Sequence, residues 1–307
     1  MQHRNLTILL SCLLAAVCIF LAVNLFTLLY NTSHLPEETI ENIVSILADS
    51  NIRIAPDIIS ARREHGTVYV CNSGDYNRTV AQLLGKSTVT SAYIIPDGEI
   101  LFLSNGARCT FGENFSFHYN VNGDSAEDVF APSPSASFTQ ISEEKKKEIT
   151  GIVVDFLDSG SREFESGGNM NIVTGVENIW ENGGAYYALC SRTIDGIAVT
   201  ENYALCTVTG GKVTEAFGSW SFLTLGESYT AQLSDIFNIL FHVRKEIPAE
   251  SLAAGVAIES INLCYSLYFY GEEEDFCLIP CWQIVTDSAG EYIYNAIDST
   301  LYTKSQS

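Results

Sequence analysis

The sequence predicts an α+β protein: an N-terminal transmembrane helix, then repeated units in which one amphipathic helix packs on an antiparallel β-sheet. Three observations predict it. Residues 6–30 contain no Asp, Glu, Lys or Arg and are dominated by Leu, Ile, Val, Phe and Ala. Beyond them, apolar residues at 3-4-3 spacing mark amphipathic helices. After each helix come apolar, aromatic runs cut by turn signals such as Asn105-Gly106, Asp195-Gly196 and Gly210-Gly211.

The first element is the expected anchor. A helix over residues 6–30 is about 37 Å long at 1.5 Å per residue, enough to cross a hydrocarbon core of about 30 Å. His3 and Arg4 precede it, and Glu37, Glu38 and Glu41 follow it. The positive-inside rule then leaves the N-terminus in the cytoplasm and the large domain outside, in a single-pass membrane protein. A cleaved signal peptide would need small residues where Phe26, Leu28, Leu29 and Tyr30 stand. Ser11, Ala15, Cys18 and Ala22 form a stripe of small residues that would admit a partner helix, and Asn24 would gain from a hydrogen bond in the bilayer.

Residues 1–5 are then a cytoplasmic tail and 6–30 the anchor. Residues 31–121 are read as a first α+β module, and polar 122–138, with Pro132 and Pro134, as a linker. A C-terminal domain follows over 139–307, with two helix-plus-meander units at 139–225 and 226–303.

Within the first module, Pro36 opens a helix whose first turn carries Glu37 and Glu38, and Ile40, Ile43, Val44 and Leu47 give its buried face. A strand at Thr67–Cys71 precedes a short helix capped by Asp75 and closed by Gly85. Residues 91–120 read as an antiparallel meander. In the second domain Ser142 caps a helix buried through Ile149, Ile152, Val153, Phe156 and Leu157 and ended by Ser159-Gly160. Strands follow at Ala185–Thr193, Ile197–Val208 and Lys212–Trp220. A helix from Tyr229 to Arg244 then leads to strands at Ile258–Phe269, Leu278–Thr286 and Glu291–Ile297.

Charge and cysteine content limit the function classes. The net charge is −21, and all 37 acidic residues lie beyond Tyr30. Nucleic acid and anionic lipid surfaces both call for basic patches, so neither suits this domain. Seven cysteines follow the anchor (Cys71, Cys109, Cys190, Cys206, Cys264, Cys277 and Cys281), an odd number set mostly in apolar runs. They read as reduced core residues, with a Cys190–Cys206 bridge as the alternative.

No motif for catalysis stands out. The five histidines are scattered, there is no nucleophile elbow or phosphate loop, and Cys277-Leu-Ile-Pro-Cys281 has the wrong spacing for a redox or zinc pair. The run Glu272-Glu273-Glu274-Asp275 lacks the interleaved ligands of a calcium loop. The expectation is a non-enzyme with no catalytic, cofactor or metal residues.

Two stretches carry a family likeness. Leu21-Ala-Val-Asn-Leu-Phe-Thr-Leu-Leu-Tyr30, Thr39-Ile-Glu-Asn-Ile-Val-Ser-Ile-Leu47 and Asn51-Ile-Arg-Ile54 resemble the start of the YycI/YycH family of two-component-system regulatory proteins of Gram-positive bacteria. Ile261-Asn-Leu-Cys-Tyr-Ser-Leu267, Leu278-Ile-Pro-Cys-Trp-Gln-Ile-Val285 and Tyr292-Ile-Tyr-Asn-Ala296 are similar to the last strands of YycI-like and PepSY-like domains. The resemblance implies a YycI/PepSY-like fold and a membrane-anchored modulator of a sensor histidine kinase in cell-wall homeostasis. It would act by protein–protein contact, alongside a paralogous regulator, with Ser11, Ala15, Cys18, Ala22 and Asn24 as contact candidates. The alternative is a PepSY-like module that binds wall polymer or modulates a protease, using Tyr186, Tyr187, Trp220 and Tyr229.

Overall fold

A computed structural model describes residues 14–15, 17–25, 36–59, 65–71, 76–96, 98–112, 115–121, 141–164, 172–220, 225–269 and 276–305. The expected linker over 122–138 and the acidic run 272–275 lie outside them. Among the described residues strand dominates, with fifteen strands and both parallel and antiparallel pairing. The chain divides into two compact units, both discontinuous in sequence. One comprises 1–66, 230–262 and 281–307, the other 67–229 and 263–280.

The N-terminal segment corrects the expected anchor. Residues 14–15 and 17–25 are helical and exposed. No helix among the described residues is long and apolar enough to cross a membrane. The expected single-pass anchor over 6–30, and the membrane location built on it, are therefore not supported.

In the first unit, α1 (Glu37–Ala48) buries Ile43 and Leu47 and ends where Asn51 takes a φ of 59°. The chain turns there into β1 (Ile52–Ile54), whose buried–exposed–buried pattern sets Ile52 and Ile54 inward. Helix α4 (Ile236–Glu246) buries Ile236, Ile239, Leu240 and Val243. Asp235 is its N-cap, with a carboxylate oxygen accepting from the Phe237 N–H at 3.2 Å. The helix expected from Tyr229 thus starts seven residues later, because 225–232 extend as β11 (Leu225–Gln232). The short helix α5 (Ala249–Ala254) leads to the 14-residue β12 (Val256–Phe269).

The first unit closes with the second half of β13 (Phe276–Thr286), then β14 (Glu291–Asn295) and β15 (Leu301–Ser305), paired antiparallel. β1 runs parallel to β12, Ile52 opposite Val256.

The second unit holds most of the strands. β2 (His65–Cys71) contributes residues 67–71 and pairs with residues 276–278 of β13. Helix α2 (Tyr76–Gly85) precedes an antiparallel meander of β3 (Val89–Ile95), β4 (Gly98–Leu103), β5 (Arg108–Gly112) and β6 (Ser116–Asn120). Helix α3 runs from Glu143 to Phe164, four residues past the expected stop at Ser159-Gly160. Ser142 Oγ accepts from the Lys145 N–H at 3.3 Å, as the capping signal implied. Strands β7 (Ile172–Asn182), β8 (Ala185–Ile194), β9 (Ile197–Thr209) and β10 (Lys212–Ser219) complete the unit.

Two-residue turns set that last register. Gly183-Gly184, Asp195-Gly196 and Gly210-Gly211 all have positive φ at both positions, the type I′ geometry whose twist matches that of paired strands. The resulting sheet runs β9-β10-β6-β5-β4-β3, with β8 and then β7 on the other side of β9. One face carries the core, where Leu101, Cys109, Tyr119, Ala216, Cys206 and Ala188 follow in register across β4, β5, β6, β10, β9 and β8. Val80 and Leu84 of α2 and Ile149, Val153 and Leu157 of α3 belong to the same core.

The expected repeat of one helix on one antiparallel meander is thus replaced by a largely strand-built, mixed sheet. The physical reason lies in long-range pairing. β12 pairs parallel with β9 at Tyr265 and Val199, and parallel neighbours need long crossovers that local turn signals cannot announce.

Candidate interaction face

The expected contact stripe falls only partly among the described residues. Ser11 lies outside them. Ala15, Cys18, Ala22 and Asn24 are helical and exposed. Asn24 Nδ2 donates to the Phe20 carbonyl within its own helix at 3.0 Å.

The aromatic candidates are scattered. Trp220 is buried beneath the Arg192 guanidinium, whose Cζ sits 4.7 Å from the ring centroid. Tyr187 stacks on Trp180 with centroids 5.8 Å apart, and Tyr186 packs on the core under Lys145. Of the four, only Tyr229 is well exposed.

Cysteines Cys109, Cys190, Cys206, Cys264, Cys277 and Cys281 are buried free thiols, so the Cys190–Cys206 bridge is not formed. Burial pushes the Cys109 thiol up to about 12. Cys206 is raised further above its usual range, first by its hydrogen bond with Cys190 and then by burial. Neither supplies a nucleophile near neutral pH. Among the described residues, no three His, Cys, Asp or Glu side chains gather closely enough to hold a metal ion.

What does gather is a surface on the second unit's sheet, on the face opposite its core. Alternation along β3, β4 and β5 turns Leu101, Leu103, Cys109 and Phe111 inward and leaves Ser91, Tyr93, Ile100, Phe102 and Arg108 on the other side. Those five line an open concavity of about 410 Å³. Cross-strand register builds it, since Ser91 faces Phe102, Phe102 faces Arg108 and Tyr93 faces Ile100. Tyr93 meets Phe102 edge-on at 5.7 Å, and Arg108 Cζ stands 5.9 Å from the Phe102 centroid. The Arg108 Nε is buried with no hydrogen-bond partner.

Two strands further on, His118 Nε2 and Glu215 Oε1 pair at 2.8 Å on β6 and β10. Beside the concavity, β3 is the last strand of the sheet among the described residues, with β4 its partner. Tyr93 is 59% and Ile94 90% exposed there. Sequence reasoning marked 91–120 as a meander but not this face. The signal available was the uncharged run Val89-Thr-Ser-Ala-Tyr-Ile-Ile95, without the charges that usually guard an edge.

Comparison with known proteins adds no identity. No family model matches the chain. No curated protein matches it either. Among solved structures it is similar to an uncharacterized protein from Eubacterium rectale, at 14% identity over 82% of this chain and 90% of that one, with a TM-score of 0.45.

Proposed function

We propose that this protein is a non-catalytic regulatory module that works by protein–protein contact, and that its partner is a sensor histidine kinase of a two-component system. The observation that carries the contact half is the unguarded β3 edge beside the Tyr93–Phe102–Arg108 concavity. Aromatic side chains and Arg are the residue types most enriched where proteins bind one another, and a strand with one partner offers free backbone groups to another chain. The kinase half rests on the resemblance of residues 21–54 and 261–296 to the YycI/YycH family. Such a module would bias the kinase by binding one of its signalling states more tightly than the other.

The test is site-specific photocrosslinking in the native host. A benzophenone amino acid placed at Tyr93 or Ile94 should crosslink to a histidine kinase, while the same probe at exposed Lys212 on the far turn of β10 should not. A crosslinked set without a kinase from either β3 position would overturn the proposal.

A further inference from the structure

We infer that the β3 edge is a strand-addition site for an extended peptide segment bearing a glutamate, whose carboxylate Arg108 receives. The inference deepens the interaction reading and rests on it. Three features lead there. β3 ends the sheet, and residues Thr90 to Ile94 are exposed in succession without a single charge. Edge strands in stable proteins are usually blunted by lysine, proline or a bulge. Here the register shift between Val89 and Ser91 and the proline at Pro96 sit at the two ends. They confine the open edge to five residues, about 17 Å of strand at 3.4 Å per residue.

The second feature is the concavity. A strand added beside β3 turns alternate side chains onto the face that carries Ser91 and Tyr93, and so onto the mouth of the groove. The third is charge. Among the described residues Arg108 is the one charged residue lining the groove, and its buried Nε lacks a partner there. Its guanidinium leans over Phe102 on β4, so two strand spacings of about 4.8 Å separate it from an added strand. Of the two acidic side chains, glutamate has the longer reach across that gap. Charge-assisted pairing of this kind also gives direction and register to an otherwise permissive edge.

A second copy of this chain fits less well. Pairing β3 with another β3 would bring no carboxylate to Arg108, because Val89–Ile95 contains none, and both copies carry −21. On the same sheet Glu215, opposite Asn120, is already paired with His118.

The experiment uses the full chain in about 0.15 M salt, where the Debye length is about 8 Å and the overall negative field is screened. The probe is a fluorescein-labelled nine-residue peptide of alternating Thr and Val with one central Glu, followed by fluorescence anisotropy. It should bind saturably below about 1 mM. Replacing Glu by Gln in the peptide, methylating its backbone nitrogens at alternate residues, or introducing Arg108→Gln should each weaken binding about tenfold or more.

The peptide-side changes leave the protein untouched, so a misfolded variant cannot imitate the result. Equal affinity for the Glu and Gln peptides, unaltered binding of the methylated peptide, or no saturable binding would overturn the inference. So would self-association of the chain that excludes the peptide. A kinase crosslinked from β3 without peptide binding removes only this inference; peptide binding without a crosslinked kinase removes only the kinase reading.

Discussion

Glu201 is the residue whose environment most opposes its usual state. Burial raises its carboxyl above the ordinary value of 4.5, against hydrogen bonds from Thr200, Ser266 and the Leu267 N–H that favour the ionised form. Between 4.5 and the raised folded value, the folded chain holds a proton that the unfolded chain has released. Stability therefore falls as pH rises through that window and is spared the penalty below 4.5. Urea unfolding between about pH 4 and 7 should show this decline, and Glu201→Gln should flatten it; an unchanged slope would assign the decline to other groups. At this scale the sequence was informative about type but not about setting. Cysteine in apolar runs was legible as core, as Cys109, Cys190 and Cys206 are. A glutamate inside Thr-Glu-Asn looked like any solvated acid, and only the approach of Ser266 and Leu267 from a distant strand buried it.

At the scale of elements, local chemistry fixed ends better than types. Ser142 at the start of α3 and the glycine turns at 195–196 and 210–211 were visible because capping and type I′ geometry depend on neighbouring residues alone. Segment 225–244 misled: its apolar spacing continued a helical pattern upstream, yet 225–232 is strand and Asp235 starts the helix. Pro280 sits within β13 between Leu278, the last residue paired with β2, and Cys281, the first paired with β14. Gly218 is another position set by a neighbouring strand. A Cβ there would collide with the Tyr203 carbonyl of β9, which is backbone and cannot swing aside. Gly218→Ala should destabilise the protein by about 1–3 kcal/mol in chemical unfolding, whereas Gly151→Ala, which meets nothing, should be neutral or stabilising.

For the whole molecule, the dominant physical fact is a net charge of −21. The resolved pairs are mostly exposed, as Lys86–Asp155 and Lys146–Glu143 are, and such pairs add little. Self-repulsion should then outweigh pair screening. Raising NaCl from about 20 to 200 mM at pH 7 should raise the thermal midpoint, and a fall would show that local pairs dominate.

What the sequence determined by itself is what short segments determine: the Ser142 cap, the glycine turns, the buried thiols and the acidic composition. These depend on residues within one or two turns of chain. Tertiary structure decided the rest. A charge-free run of 25 residues is compatible with a membrane span, but no described helix has the length and apolarity to make one, and Asn24 closes its own hydrogen bond. The mixed sheet arises from parallel partners such as β1 with β12, two hundred residues apart, which no local pattern encodes. The candidate face follows from the same cause. Tyr93, Phe102 and Arg108 lie on three strands, and only antiparallel register sets them side by side at the edge of the sheet.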